Sequence, residues 1–449
     1  MVASPTRAEA PTRWSVGPVW CDQWYPVAYL RDLDPGQPTA FTLLGRDLVL
    51  WWDQQSSRWR AFEDRCPHRL VPLSQGRINE AGQLECPYHG WSFDGAGTCQ
   101  AIPQAEEGVS PGSRRASCLA LPTAEGQGLL FVFAGEAGRA DATPLPLIPS
   151  LEEEGDAWLI QDTFRDLPMD AVTLLENVLD VSHVNFTHHR TVGRRDNAAP
   201  VRAELLREGP DGFEATWAEG PRRGRLGSQH TTFRAPQLMW HELEAKGFAR
   251  ILTVVYAVPI RPGECRLFAR FPFRFASPWS RRLLSLRPRW LQHVANHTVL
   301  EDDQVFLHWQ ERSLAAAGGS ERFEQACYLP TGSDLYVKAL HRWLNGPGSA
   351  PFPGQAPPPR LELPDLMDRY HSHTIHCRSC SGALRRLRQL QPLVLVALAL
   401  ALVASAWAGP SWSGGLDLGL AGALWLAWRW MRGKEQGLLR GSGLPPRNR

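Results

Sequence analysis

The sequence predicts an α+β protein built in three parts, and three observations predict this class. Residues 15–140 contain short strand-like runs broken by turns, which is typical of a small all-β domain. Residues 151–345 mix strand-like runs with helical spacing, which predicts a helix-grip-like α+β domain whose sheet is partly wrapped around helices. After a Pro-rich linker with a C-x-x-C segment (346–384), two apolar runs within 385–435 predict a transmembrane helical hairpin.

The composition excludes several other classes of protein. The chain has 449 residues and a net charge of +2, so it is long enough for two or three domains and shows no nucleic-acid footprint. Its nine cysteines are widely scattered, which argues against a secreted disulfide framework and favours a reducing compartment. Residues 1–14 contain no apolar signal region, so we expect no secretory signal.

Individual segments predict the elements of the first two domains. "FTLLGRDLVLWWD" predicts two strands around Gly45-Arg46, and "GLLFVFAG" predicts a further strand. The Pro-rich stretch 142–150 is a plausible boundary. Apolar spacing predicts helices over 169–184 and 290–317, with "ARILTVVYAVPI" and "CRLFARFPFRF" as sheet strands between them.

Two apolar runs, 393–409 and 418–431, predict the membrane hairpin. Each is near the lower length limit for a span, so a buried helical hairpin is the alternative. Basic residues flank both outer ends, which places both ends on the cytoplasmic or equivalent face.

Two cysteines and two histidines lie close together at Cys66, His68, Cys86 and His89. Zinc sites usually pair Cys with Cys and His with His, whereas here each short arm carries one of each. A [2Fe–2S] cluster with two thiolates on one iron and two imidazoles on the other requires such arms. A variant zinc ribbon is the alternative.

The stretch 66–103 resembles the Rieske domain of Rieske non-haem iron oxygenases. Respiratory Rieske proteins carry an additional cysteine in each loop, and this sequence has Val71 and Tyr88 near those places. The resemblance therefore implies the oxygenase branch, with Cys66, His68, Cys86 and His89 as cluster ligands.

An oxygenase of this kind needs a second iron with open positions, held by two histidines and one carboxylate. "ENVLDVSHVNFTHH" (176–189) offers such residues. Asp180 and His183 are three apart and would share a helix face, while His188 needs a helix break, expected near Asn185.

This pattern resembles the mononuclear iron motif of the same family. The resemblance implies His183 and His188 as ligands, rather than the neighbouring His189. It also implies that Asp180, with Asn177 of the same motif, belongs to the catalytic machinery. Asp180 would be the acid that bridges the iron site to an adjacent subunit's cluster.

The third ligand is expected from a late helix, where Glu301, Asp302 and Asp303 compete. Three consecutive acids are also common on a solvated helix face. The resemblance favours Asp303, which stands three residues before "FLH" as in the family pattern, with Asp302 as the alternative.

The C-terminal part, with "LMDRYHSHTIHCRSC" and the predicted hairpin, resembles the pheophorbide a oxygenase group of this family. That resemblance implies a membrane-anchored homotrimeric monooxygenase that uses O₂, a [2Fe–2S] cluster, mononuclear Fe²⁺ and electrons from reduced ferredoxin or a comparable reductase. Its substrate would be a hydrophobic ring compound such as a chlorophyll-derived tetrapyrrole. The alternatives are another lipid-soluble ring substrate, or a redox-sensing electron-transfer membrane subunit. Plant members carry a transit peptide that this sequence lacks, so we expect the thylakoid or plasma membrane of a photosynthetic bacterium.

Cys377 and Cys380 form a lone C-x-x-C before the apolar runs. Such a pair can bind metal, form a disulfide or do neither, and zinc would need His371, His373 or His376. The resemblance implies redox regulation by thioredoxin.

Overall fold

The computed structural model describes residues 14–218, 226–245 and 248–442. Most of the N-terminal stretch on which the expectation of no secretory signal rests lies outside the described residues. The described residues form two compact units. Within the described ranges, the first comprises residues 14–183, 197–277 and 307–359, and the second comprises residues 184–196, 278–306 and 360–442.

The N-terminal part of the first unit is an all-β domain of three small antiparallel sheets, with strand orders β1-β11-β10, β2-β3-β4-β9 and β5-β6-β7-β8. The strands are β1 Gln23–Tyr29, β2 Thr39–Leu43, β3 Arg46–Asp53, β4 Arg58–Glu63, β5 Arg77–Ile78, β6 Leu84–Glu85, β7 Ser92–Phe93, β8 Cys99–Ala101, β9 Ala120–Leu121, β10 Thr123–Gly126 and β11 Leu129–Ala134. The predicted turn between β2 and β3 is made by Leu44 and Gly45, both at positive φ, as a two-residue hairpin turn requires.

A seven-stranded antiparallel sheet forms the rest of the first unit's framework, in the order β12-β18-β17-β16-β15-β14-β13. Its strands are β12 Leu159–Leu167, β13 Ala203–Gly209, β14 Gly212–Trp217, β15 Leu226–Arg234, β16 Leu238–Ala245, β17 Phe248–Arg261 and β18 Glu264–Phe275. β17 and β18 contain the two strand runs predicted from the sequence. The strands therefore confirm an all-β domain followed by an α+β domain.

Ten α-helices accompany these sheets in the described parts of the chain. They are α1 Pro149–Glu154, α2 Ala171–Leu179, α3 Val184–Thr187, α4 Pro278–Ser285, α5 Arg289–Ala316, α6 Phe323–Ala326, α7 Leu335–Asn345, α8 Leu363–Leu366, α9 Arg378–Ala408 and α10 Trp412–Leu439. Helix α5 confirms the long helix predicted over 290–317, and α2 packs against β17 and β18.

The helix predicted over 169–184 is wrong after Leu179. Helix α2 ends at Leu179, because Asp180 adopts extended backbone angles of φ −71° and ψ 109°. Helical structure resumes only at α3, which contains Asn185. The break thus lies before the expected position, and Asp180 and His183 do not share a helix face.

The Pro-rich linker is attached to the β domain over part of its length. The Gly17 amide donates to the Pro351 carbonyl at 3.1 Å, and the Trp20 indole donates to the Ser349 carbonyl at 2.9 Å. Phe352 is buried as well. These contacts fix the chain where composition alone predicts an unstructured linker.

Helices α9 and α10 form the C-terminal hairpin. The turn uses Gly409 at φ 60°, and the Ser411 side chain caps α10 by accepting from the Gly414 amide at 3.2 Å. Of the described helices, α9 alone is long and apolar enough to cross a membrane by length and composition. The hairpin leaves large apolar side chains exposed, including Leu400 at 64% and Leu426 at 62%.

Candidate metal centres

The two Cys/His loops share one hydrogen-bond pattern. The Cys66 amide donates to the Val71 carbonyl at 2.9 Å, and the Cys86 amide donates to the Trp91 carbonyl at 2.8 Å. Within each loop the fourth residue after the cysteine, Leu70 or Gly90, has positive φ and donates its amide back to the cysteine carbonyl. The backbones of the two loops therefore have the same hydrogen-bond pattern, although the histidines lie two and three residues after their cysteines.

The four side chains of these loops separate into a buried pair and an outer pair. Cys66 and Cys86 are only 1% and 2% exposed and belong to the hydrophobic core of the β domain. His68 is exposed and His89 half-buried, with ring centroids 4.6 Å apart. The indole of Trp91 stacks on the His68 ring at 4.6 Å.

This donor set fits a cluster with thiolates on the inner iron and imidazoles on the outer one. Burial raises the pKa of the Cys66 thiol to about 12, so a thiolate there needs the charge of a metal to be stable.

Helix α2, which leads into the second motif, is held at its first turn by Glu311. The Glu311 carboxylate accepts from the Asp170 amide at 2.6 Å and from the Thr173 hydroxyl at 3.0 Å. A negative charge at this end complements the helix dipole. Burial raises the pKa of Glu311.

His241 of β16 holds the last turn of α2. Its Nε2–H donates to the Val178 carbonyl at 2.9 Å, while its Nδ1 lies 2.8 Å from the Thr231 hydroxyl and 3.1 Å from the Gln229 amide nitrogen. Complete burial lowers the pKa of His241 to about 4, so the ring is neutral at physiological pH.

This lowered pKa makes His241 a source of pH-dependent stability. Between pH 6.5 and about 4, His241 binds a proton in the unfolded chain but not in the folded chain. The contribution of His241 to the free energy of unfolding is therefore complete above pH 6.5 and is lost as the pH falls. We expect the wild type's stability advantage over His241→Gln to shrink by up to about 2 kcal/mol between pH 7 and pH 5. Paired urea unfolding curves at each pH measure it, and parallel pH profiles would contradict it.

Asp180 and His183 lie just beyond α2. The His183 Nδ1 is 2.5 Å from the Asp180 carbonyl oxygen, which assigns the proton to Nδ1 and leaves Nε2 as a lone-pair donor. The Asp180 carboxylate accepts from the Ser182 amide at 2.8 Å. Burial outweighs the neighbouring His183 and raises the pKa of Asp180.

His188 lies in the second unit between two carboxylates of α5. Its Nε2 is 3.1 Å from Asp303 Oδ2, and its Nδ1 is 3.5 Å from Asp302 Oδ2. Asp302 also accepts from the Thr191 hydroxyl at 3.3 Å. Burial alone would lower the pKa of His188, but the two carboxylates raise it to about 9.

Asp303 has the features of a metal ligand. It is buried, and its Oδ1 has no hydrogen-bond partner among the described residues. A buried carboxylate oxygen without a donor is costly unless a cation occupies the space beside it. Asp302, facing the other ring nitrogen, is placed to orient the His188 imidazole.

Glu301, the third acid of the run, is engaged elsewhere. Arg369 makes a buried bidentate ion pair with it, at 2.6 Å to Oε1 and 2.7 Å to Oε2. Successive helix positions diverge by about 100°, so the three acids face different surroundings. Glu301 therefore does not compete for the metal.

The remaining predicted site residues are placed as follows. Asn177 lies in the last turn of α2, and its carbonyl accepts from the Asp180 amide at 3.2 Å. Cys377 and Cys380 are fully buried at the start of α9, and neither is in a disulfide. Their redox role stays a prediction. Sequence reasoning missed Glu311 and His241, since no local pattern marks a side chain that acts through a distant helix end.

The chain is similar to two protein families and to several known proteins. Residues 23–123 match the family described as Rieske [2Fe-2S] domain, and residues 233–321 match the family described as Pheophorbide a oxygenase. Pheophorbide a oxygenase of Oryza sativa subsp. japonica is 37% identical over 407 residues, covering 84% of this chain and 75% of the relative. Flavonoid 8-hydroxylase 2 of Ocimum basilicum is 33% identical over 424 residues, covering 86% and 79%.

Solved structures share the fold. Pseudomonas putida CBB5 NdmA with caffeine matches with a TM-score of 0.57 and 21% identity, over 72% of this chain and 89% of that one. Dicamba monooxygenase bound to dicamba matches with a TM-score of 0.58 and 20% identity, over 73% and 97%. These likenesses show the arrangement of a β domain and a sheet–helix domain.

Proposed function

The chain belongs to the Rieske non-haem iron oxygenases that include pheophorbide a oxygenase, and on that premise we propose that it is a membrane-anchored monooxygenase of a chlorophyll-derived tetrapyrrole such as pheophorbide a. It is an oxidoreductase whose cofactors are a Rieske [2Fe–2S] cluster and a mononuclear iron. The proposed substrate class rests on two relatives named pheophorbide a oxygenase, which are 37% and 35% identical to this chain.

The cluster ligands in this proposal are Cys66, His68, Cys86 and His89. Their support is the matched hydrogen bonding of the two loops, with buried thiols and outer imidazoles. The outer position of His68 suits electron entry from reduced ferredoxin or a comparable reductase.

The proposed ligands of the mononuclear iron are His183, His188 and Asp303. The iron, when bound, supplies the open coordination positions at which O₂ is activated. His183 contributes Nε2 because Nδ1 is held by the Asp180 carbonyl, and Asp303 contributes the carboxylate beside His188 Nε2. Asp302 Oδ2 lies 3.5 Å from the other ring nitrogen of His188.

The choice between the two adjacent acids can be tested by paired substitutions. Asp303→Asn should lower the iron content from about three to about two per chain, because it removes a ligand charge. Asp302→Asn should retain the third iron at saturating Fe²⁺ and weaken its binding about 10- to 100-fold, as loss of an orienting partner does. Iron analysis and Fe²⁺ titration measure both, and the reverse pattern would assign Asp302 as the ligand.

Asp180, with Asn177 preceding it, is the proposed link between centres. In the proposed homotrimer, the Asp180 carboxylate accepts a hydrogen bond from the adjacent subunit and couples that subunit's cluster to this subunit's iron. The half-buried side chain, held by the Ser182 amide, supports this role.

The hairpin of α9 and α10 is the proposed anchor. Exposed Leu393, Leu400 and Val403 on α9 are 64%, 64% and 54% accessible, which is unlike a hairpin buried in a core. Trp407 and Trp412, beside the turn, are 91% and 86% exposed. A membrane would cover these side chains, with both outer ends at one face.

The decisive experiment uses the full-length protein with both iron centres loaded, in lipid nanodiscs, with ferredoxin and ferredoxin reductase. We expect O₂-dependent oxidation of pheophorbide a, and ¹⁸O₂ should label the product with one oxygen atom. Chlorophyllide a and protochlorophyllide test the wider tetrapyrrole class, and loaded enzyme that oxidises none of the three would refute the substrate proposal.

A second candidate is an oxygenase of another lipid-soluble ring. The 33% identical relative named flavonoid 8-hydroxylase 2 favours it. A flavone in the same assay separates the two, since turnover of the flavone alone would support this candidate.

A further inference from the structure

Four metal-binding side chains converge in the second unit at a place that neither iron centre uses. They are His293, His373, Cys377 and Cys380, each no more than 1% exposed. Their ligand atoms all lie within 4.8 Å of one another.

Four of the separations between these atoms are close to those of a tetrahedral site. The His293 Nδ1 lies 3.0 Å from His373 Nε2, 3.4 Å from Cys380 Sγ and 3.6 Å from Cys377 Sγ. The His373 Nε2 lies 3.4 Å from Cys380 Sγ. A tetrahedral Zn²⁺, with bonds of about 2.0 Å to nitrogen and 2.3 Å to sulfur, separates its ligand atoms by about 3.3–3.8 Å. Three of the four separations fall in this range, and the His293–His373 separation of 3.0 Å is slightly shorter. From these separations we infer that the protein holds a structural Zn²⁺ ion on these four side chains.

Local structure brings the four ligands together. Cys377 is the N-cap of α9, and Cys380 lies in its first turn. His373 is joined to the cap because the Cys377 amide donates to its carbonyl at 3.1 Å. His293 comes from the beginning of α5, and the His297 ring, one turn further, meets the His373 ring edge-on at 4.2 Å.

A metal-free hydrogen-bond relay is the competing arrangement. Arg289 Nε lies 3.3 Å from His293 Nε2, so His293 could pass a hydrogen bond from Nδ1 to His373. In such a relay the Nδ1–H of His293 donates to one acceptor only, because a ring N–H points in one direction. It does not account for two thiols at 3.4 and 3.6 Å from the same atom, whereas one central cation accounts for all four side chains.

The ligand set selects zinc and a structural role. Two thiolates and two imidazoles at tetrahedral spacing are the Cys₂His₂ set, and four protein ligands leave no open position for chemistry. The ion would join α5, which carries Asp303, to the start of α9. While it is bound, both thiols are ligands, so Cys377 and Cys380 cannot form the disulfide that redox control requires.

The first test needs no variant. Full-length protein, expressed without a polyhistidine tag in medium containing zinc and iron, should contain about one zinc beside about three irons per chain. Zinc-edge X-ray absorption should show two sulfur neighbours at about 2.3 Å and two nitrogen neighbours at about 2.0 Å. Zinc-free protein with a Cys377–Cys380 disulfide, with iron in this place, or with four metal-free side chains would overturn the inference.

Matched variants then locate the ion. Cys380→Ser and His373→Ala should lose the zinc while the reduced cluster keeps its electron paramagnetic resonance signal. The controls are Cys327→Ser, at a cysteine that is not one of the four proposed zinc ligands, and His376→Ala, at an exposed histidine three residues after His373. Retention of zinc by both ligand variants, or its loss from both controls, would place the ion elsewhere.

Discussion

Replacing His188 with alanine is expected to abolish O₂-dependent product formation and to remove one iron per chain while the Rieske cluster stays loaded. The His188 ring lies between two buried carboxylates of α5, with Nε2 3.1 Å from Asp303 Oδ2. Without the imidazole, the proposed site retains one histidine and one carboxylate, too few ligands to hold Fe²⁺ against water. Iron analysis, the spectrum of the reduced cluster and the product assay measure the three parts of this result.

His189→Ala is the matched control, because His189 is adjacent in sequence and engaged differently. Its Nδ1 is 3.3 Å from the Arg195 amide nitrogen, a contact within the loop that follows α3. The control should keep three irons and most of its activity. If His188→Ala kept its third iron while His189→Ala lost it, the register of the motif would be shifted by one residue.

The cluster loops and long helices could be predicted because their information is local. The Cys66 and Cys86 arms contain their ligands and their turn-forming positions within six residues each, and the hydrogen bonds that shape them close inside the same loops. Helix α5 follows from apolar spacing that continues over its whole length.

The early end of α2 could not be predicted, because the apolar spacing of the sequence favours a longer helix. The apolar spacing continues past Leu179, but Asp180 turns into an extended conformation and its amide still bonds to the helix carbonyls. The last turn of α2 is held by a tertiary hydrogen bond from His241 to the Val178 carbonyl, which the apolar spacing does not reveal.

Long-range partners were equally invisible in the sequence. His293 contacts Cys377, which is 84 positions away in the sequence, and Glu311 contacts Asp170, which is 141 positions away. Three adjacent acids on one helix look alike in sequence, yet Glu301 faces Arg369 while Asp302 and Asp303 face His188. The side chains that surround each acid decide its role, and these come from distant segments.

Asp180→Asn is expected to slow product formation about 10- to 100-fold while both iron centres stay loaded. Asparagine keeps the shape and can still accept from the Ser182 amide, but it removes the charge from the proposed hydrogen bond between subunits. Loss of a charge-assisted hydrogen bond of about 1.5–3 kcal/mol corresponds to a rate effect of this size. Asp196→Asn, at an exposed acid in the following segment, is the control and should leave the rate unchanged.

A subunit-mixing experiment shows whether the electron crosses between chains. A Cys66→Ser chain lacks the cluster and a His188→Ala chain lacks the mononuclear iron, so each is inactive alone. Co-expressed, they regain activity only if one chain's cluster serves the other chain's iron. Adding Asp180→Asn to the Cys66→Ser chain should then reduce that activity, because this chain provides the working iron site. The same change in the His188→Ala chain should have no effect, and inactive mixtures of correctly assembled chains would show that electrons stay within one chain.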